Sequence, residues 1–285
     1  MSEKRQFSKR SISRYNRGMK YWLIPLALLL LALIFYNNHH LTVSRYELPG
    51  ITKARIVQLS DLHWALFGRD NCHLVARVAQ QQPDIIVITG DLLDKRVPNR
   101  RKSLSLLRQL AAICPVYYVR GNHEVYLNDR QYLEDVAKTG AIYLENEKTE
   151  IMGMTLIGLD DASVCGSRDY ESQKAFIDQQ LDRLAVEKNA YTILLSHQPQ
   201  HLDSYGNYQI DLVLCGHVHG GQFRLPFIGG IYGPQQGLFP RYDAGLHYTK
   251  GTAMILSRGL GNSLFPFRLN NYPEIVIIDL KKKEA

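Results

Sequence analysis

Five short apolar runs in this chain each end abruptly at a residue able to bind a metal, and that pattern limits the possible folds more than any other feature. "ARIVQLS" (54–60) leads into Asp61 and His63. "DIIVITG" (84–90) leads into Asp91, and "VYYV" into Asn122 and His123. "YTILLS" is followed at once by His197, and "IDLVLCG" by His217 and, two residues on, His219. β-branched and aliphatic runs bounded by Gly, Asp or Ser read as buried strands. Helical periodicity fills the gaps at 70–82, where Leu74, Val75, Val78 and Ala79 share a face, and at 99–112, 129–139 and 171–188. Interleaved strands and helices, followed mostly by strands ("TAMILSRG", "EIVIIDL"), predict an α/β sandwich of two sheets with helices outside. A hairpin is expected around Glu147. The 223–250 stretch, rich in Gly, Pro and Tyr, is expected to form a long loop, functional or disordered.

Taken singly, these polar residues have ordinary explanations: an Asp after a strand caps a helix, a lone His is structural, an Asn after Gly makes a turn. Seven of them at five strand ends are not independent accidents, because open α/β sheets gather ligands beyond the carboxyl ends of their strands. His39, His40, His73, His201 and His247 have no such placement and read as solvated or structural. Asp94, closing "GDLLD", is expected to orient a neighbour or cap a helix. His217 and His219, two apart, can face different ions, and Gly216, Gly220 and Gly221 let the backbone pass close by.

The ordered set DxH, GDxxD, GNHE, a lone His after a strand, and GHxH resembles the calcineurin-like metallophosphoesterases, from about residue 54 to the C-terminus. "GHVHGGQFRLPF" and "SRGLGNSLFPFRLNNYPEIVIIDL" are similar to a branch of membrane-associated bacterial phosphodiesterases of the YkuE/YaeI type. The resemblance implies a four-layer α/β/β/α sandwich with a two-metal site. In it Asp61, His63, Asp91 and His219 would hold one ion, Asp91, Asn122, His197 and His217 the other, and Asp91 would bridge. His123 would be catalytic rather than a ligand, stabilising charge on the phosphoryl group or protonating the leaving oxygen. Carboxylate, amide and imidazole donors without thiolate suit Mn, Fe, Zn or Co. The resemblance points to two Mn²⁺ ions, with Zn²⁺ or Fe as alternatives. Such a pair would lower the pKa of a shared water and so provide a hydroxide nucleophile.

Charge bears on partners and placement. The net charge is +7, and six of those charges belong to residues 1–20 (Lys4, Arg5, Lys9, Arg10, Arg14, Arg17 and Lys20 against Glu3), so a nucleic-acid-binding face is not expected. After this basic tail, 21–37 is expected to be an uncleaved transmembrane anchor. The uncharged "YWLIPLALLLLALIFY" is only about 24 Å long as a helix, against a hydrocarbon core of roughly 30 Å. A cleaved signal or a buried helix is the rival reading, but the run ends in Ile34, Phe35 and Tyr36 without small residues. The positive flank would leave everything after the anchor outside the cytoplasm. A connector (38–53) would then lead to the catalytic domain (54–285). Four scattered cysteines with no CxxC exclude a zinc knuckle.

The expected activity is hydrolysis of a phosphodiester or pyrophosphate bond in an envelope or lipid-linked substrate, with Arg241 and Tyr242 of the long loop as substrate contacts. A phosphomonoesterase, including a protein phosphatase, and a non-catalytic scaffold of the same fold are the alternatives.

Overall fold

A computed structural model of the chain describes residues 23–185, 190–263 and 265–282. The basic tail 1–20, the first two residues of the expected anchor and the end of the expected 171–188 helix lie outside them. Residues 23–39 form helix α1. The strands before the mid-chain loops are β1 (Thr42–Gly50), β2 (Ala54–Leu59), β3 (Ile85–Thr89), β4 (Val116–Val119), β5 (Ile142–Tyr143), β6 (Glu147–Ile151), β7 (Met154–Gly158), β8 (Thr192–Leu195) and β9 (Leu212–Cys215). Four two-residue strands follow, β10 (Arg224–Leu225), β11 (Gly229–Gly230), β12 (Tyr232–Gly233) and β13 (Gly237–Leu238). β14 (Gly245–Thr249), β15 (Thr252–Leu256) and β16 (Glu274–Lys282) complete the set. Helices α2 (Cys72–Ala79), α3 (Arg100–Ala111), α4 (Asn122–Leu127), α5 (Arg130–Ala137), α6 (Tyr170–Leu184) and α7 (Leu202–Tyr205) lie between strands.

Two six-stranded sheets result, ordered β1-β16-β2-β3-β4-β5 and β14-β15-β9-β8-β7-β6. The pleat sorts their side chains. Ile56, Val87, Val119, Leu195, Leu214 and Ile255 meet between the sheets. The alternate residues Val57, Ile86 and Ile88 pack outward under α2, α3 and α5, while Ile157, Leu194 and Val213 pack under α6 and α7. This is the mixed α/β architecture expected, with helices on the outer faces of both sheets. Strands buried on both sides must be apolar throughout, which explains the continuous "IIVIT" and "LVLC" runs.

Two expectations need correction, and the expected anchor finds no support among the described residues. The 38–53 connector is part of the first sheet, because β1 pairs in parallel with β16 from Thr42↔Glu274 to Gly50↔Lys282. Its partner lies more than 200 residues away in sequence, so the local pattern could not reveal the pairing. The hairpin turns at Met152 and Gly153, both at positive φ (49° and 76°), with Glu147 opening a strand opposite Gly158. For the anchor, no helix among the described residues is long and apolar enough to cross a membrane. The last turns of α1 carry Asn37, Asn38 and His39, which shortens its apolar part.

Candidate metal centre

The loops following β2, β3, β4, β8 and β9 meet at one edge of the sandwich, and backbone hydrogen bonds lock them together. Asp61 N donates to Gly90 O (3.0 Å), His63 N to Asp91 O (3.0 Å) and Gly216 N to His197 O (3.0 Å). The approach is too close for side chains at two glycines. A Cβ on Gly216 would overlap Ser60 Oγ and the Asp61 carboxylate, and one on Gly121 would overlap Asp91 Oδ1. Asp61, His63, Asp91, His217 and His219 all hold positive φ, from 50° to 78°. Such backbone costs on the order of 1–3 kcal/mol per residue and persists only where surrounding structure enforces it. Five of the seven expected ligands carry this strain, which marks the loops as shaped for a site rather than for stability.

The side chains converge accordingly. Asp61, His63 and His219 form one compact group of possible ligand atoms, Asp61, Asp91 and His197 a second, and His63, Asp91 and His123 a third. Asp91 Oδ2 lies 3.6 Å from His63 Nε2 and 3.3 Å from His197 Nε2. His219 Nε2 is 3.4 Å from Asp61 Oδ1 and 3.2 Å from His63 Nε2.

Hydrogen bonds behind the rings select the inward-facing nitrogens. His197 Nδ1 donates to Thr89 O (2.7 Å) and His219 Nδ1 to Gly261 O (3.1 Å), so Nε2 is the nitrogen each ring turns to the centre. His217 Nε2 donates to Gln235 Oε1 (3.1 Å), leaving Nδ1 as its basic nitrogen. Behind His63, Asp94 Oδ2 stands 3.6 Å from Nδ1, beyond hydrogen-bond distance, and the Asp94 carboxylate accepts from Arg96 Nε (2.9 Å) instead. Among the described residues, the buried atoms His197 Nε2 and Asn122 Oδ1 have no hydrogen-bond partner. Buried ligand atoms left without a partner suit divalent cations.

The electrostatics agree. Burial pushes His63 and His219 down to about 3, so both are neutral, as ligands must be. Burial also lowers His217, helped by His197. Burial opposes charge on His197 too, but the Asp91 carboxylate outweighs it and holds the ring well above its usual range. Asp91 stays far below the carboxylate range despite burial, because His197 faces it.

Several residues in this neighbourhood escaped the sequence analysis. Glu124, present in "GNHE" but given no role there, accepts from the backbone N–H groups of Asp91 (2.9 Å), Leu93 (2.8 Å) and Gly121 (2.9 Å) and so fixes the Asp91 loop. Gln235 comes from the long loop, which is ordered through β10–β13 and tied down by Ile231 N donating to Phe223 O (2.9 Å). Arg268 is fully buried behind His219. No local signal points to Gln235 or Arg268. The two expected substrate contacts fall elsewhere: Tyr242 is buried in the core beside α7, and the exposed Arg241 lies over its ring with Nη1 3.8 Å from Asp203. His201 is buried and stacked on Tyr170, consistent with a structural role, and burial pushes it down to about 4.

Comparison with known proteins fits this geometry. The family model for calcineurin-like phosphoesterases matches residues 54–221. A metallophosphoesterase of Aquifex aeolicus is 33% identical over 90% of this chain and 98% of its own length. YkuE of Bacillus subtilis, also described as a metallophosphoesterase, is 29% identical over 81% of this chain and 80% of its own. The phosphodiesterase YaeI of Escherichia coli is 30% identical over 79% and 82%. The chain belongs to the calcineurin-like phosphoesterase family and is a metal-dependent phosphoester hydrolase.

Proposed function

We propose that the chain is a membrane-anchored phosphodiesterase with a dinuclear centre, acting on a phosphodiester or pyrophosphate bond of an envelope or lipid-linked substrate. The observation that carries this reading is the position of Asp91, whose Oδ2 faces His63 from one group and His197 from another at 3.6 and 3.3 Å. In this reading Asp61, His63, Asp91 and His219 hold one cation, and Asp91, Asn122, His197 and His217 hold the second. The donor set has no thiolate and suits Mn²⁺, Zn²⁺ or Fe alike, and the family resemblance points to Mn²⁺. When bound, two such cations neutralise charge on the phosphoryl group and lower the pKa of water between them.

The chain's own residues supply the rest. His123 Nδ1 accepts from Lys95 N (3.1 Å), so Nε2 is the ring nitrogen that carries the proton. That N–H can donate a hydrogen bond to a nonbridging oxygen of the phosphoryl group or to the departing oxygen as negative charge builds there. His123 N also donates to Asp91 Oδ1 (2.9 Å), which ties His123 to the bridging carboxylate.

Two features favour a membrane substrate. Most of the aliphatic side chains of α1 are exposed, Leu28, Leu31 and Phe35 by 61–65%. A cleft of about 450 Å³ lined by Leu31, Ile34, Phe35, Trp64, Leu66 and Pro266 joins that helix to the loop that carries His63. The basic tail argues for a cytoplasmic N-terminus and a catalytic domain on the outer side.

Full-length protein in detergent should hydrolyse bis(p-nitrophenyl) phosphate at least about 10-fold faster than p-nitrophenyl phosphate, lose activity to a chelator and regain it with Mn²⁺. A preference for the monoester would instead mark a phosphomonoesterase. In intact cells, external protease should degrade the domain, and the protein should remain with membranes through an alkaline carbonate wash. Release by that wash would argue against the anchor.

A further inference from the structure

The C-terminal end of α1 is fastened to the back of the metal centre. Asn37 Nδ2 donates to Leu33 O (2.7 Å) and Asn38 Nδ2 to Ile34 O (2.6 Å), so both amides bond carbonyls one turn back in their own helix. Their oxygens are thereby turned outward. Asn37 Oδ1 accepts from Asn270 N (2.7 Å), while Asn38 Oδ1 accepts from Arg268 N (3.1 Å) and Asn262 Nδ2 (2.8 Å). Tyr36 adds an edge-on contact with the Tyr272 ring at 5.8 Å.

The residues held this way reach His219. Arg268 directs Nε (3.2 Å) and Nη2 at Gly261 O, the same oxygen that accepts from His219 Nδ1, and its Nη1 donates to Arg258 O (2.8 Å). Asn271 Nδ2 donates to the backbone oxygens of His219 (2.7 Å) and Gln222 (3.1 Å). Gly261 N in turn donates to Asp61 O (2.6 Å). His219 sits at φ 51°, a conformation it keeps only while its surroundings hold it.

We propose that Asn37 and Asn38 are positioning residues of the metal centre: the helix end sets the place of Arg268 and Asn271, which hold His219 and Gly261 in the geometry that binds a cation. The N-terminal helix is thus a working part of the site as well as a tether, an inference that rests on His219 being a ligand.

The test uses the full-length protein in detergent, stripped of metal and titrated with Mn²⁺ by calorimetry, alongside far-UV circular dichroism. Wild type should bind two ions per chain; if it binds none, the dinuclear reading itself fails. Asn38→Ala and Asn37→Ala should each weaken one of the two ions by about 10-fold, the lower end of the range for groups that orient ligands, and leave the other ion and the circular dichroism unchanged. Asn38→Asp keeps the acceptor oxygens and should stay within about threefold of wild type. Leu29→Ala, at an exposed position of α1, should match wild type. Unchanged Mn²⁺ affinities in both alanine variants of a metal-binding wild type overturn the proposal, as does an equal loss in Leu29→Ala.

Discussion

Asp91→Asn is expected to lower phosphodiester turnover by about 10³-fold or more and to reduce the metal bound per chain from two ions toward one. The substitution keeps the volume and one acceptor oxygen, so His123 N retains a partner for the bond it now makes at 2.9 Å. What it removes is the charge shared between His63 and His197. The effect must exceed the about 10- to 100-fold typical of groups that only orient ligands. The same pair sets a pH dependence. In the metal-free chain Asp91 holds His197 well above its usual range, so at neutral pH the ring carries a proton that an incoming cation must expel. Below that raised pKa, Mn²⁺ affinity falls as pH falls, by about tenfold per unit for one displaced proton, and Asp91→Asn should flatten the slope. Calorimetric titrations at pH 6, 7 and 8 read both effects. A full complement of two ions in the variant, with wild-type turnover, would remove Asp91 from the bridging position.

Glu124→Ala is expected to cost about 3 kcal/mol or more of folding stability. Three buried backbone N–H groups, those of Asp91, Leu93 and Gly121, lose their acceptor, and each orphaned donor costs about 1–3 kcal/mol. Burial, and then the Asp91 charge, push the Glu124 carboxyl up to about 8, while the N–H groups of Leu93 and Gly121 pull it down toward the anion. Either protonation state can accept hydrogen bonds, so the alanine penalty survives at every pH. Glu124→Gln should also destabilise, by less, since its amide nitrogen must face donors that now meet an oxygen. Urea unfolding of the metal-free protein measures the effect without interference from ligand binding. A loss under about 1 kcal/mol would mean that water replaces the carboxylate and that the Asp91 loop is held by other contacts.

The ends of β2, β3, β4, β8 and β9 were legible because two local signals coincide there. A strand buried on both faces must be a short apolar run, and the first residue beyond it begins a loop where a polar side chain is free to turn inward. His217 and His219 were equally legible, since two imidazoles among glycines have few bland explanations. Glu124 lay in plain view in "GNHE", but its role depends on the backbone of a loop 31–33 residues earlier. Tyr242 was misjudged for a related reason. A loop rich in Gly and Tyr looks solvent-facing, whereas this tyrosine fills space against α7.

Strand and helix identity, the order of the polar residues along the chain and the chemistry of the donor set were all written in runs of a few residues, because side-chain size, branching and turn preference act at that range. The pairing of β1 with β16, the reach of Gln235 to His217 and the link from Asn38 through Arg268 to His219 were not. Each joins segments between 18 and 232 residues apart, as Gln235↔His217 and Thr42↔Glu274 mark the two extremes. A hydrogen bond needs its partners within about 3 Å, and only the packed sheets bring such distant residues that close.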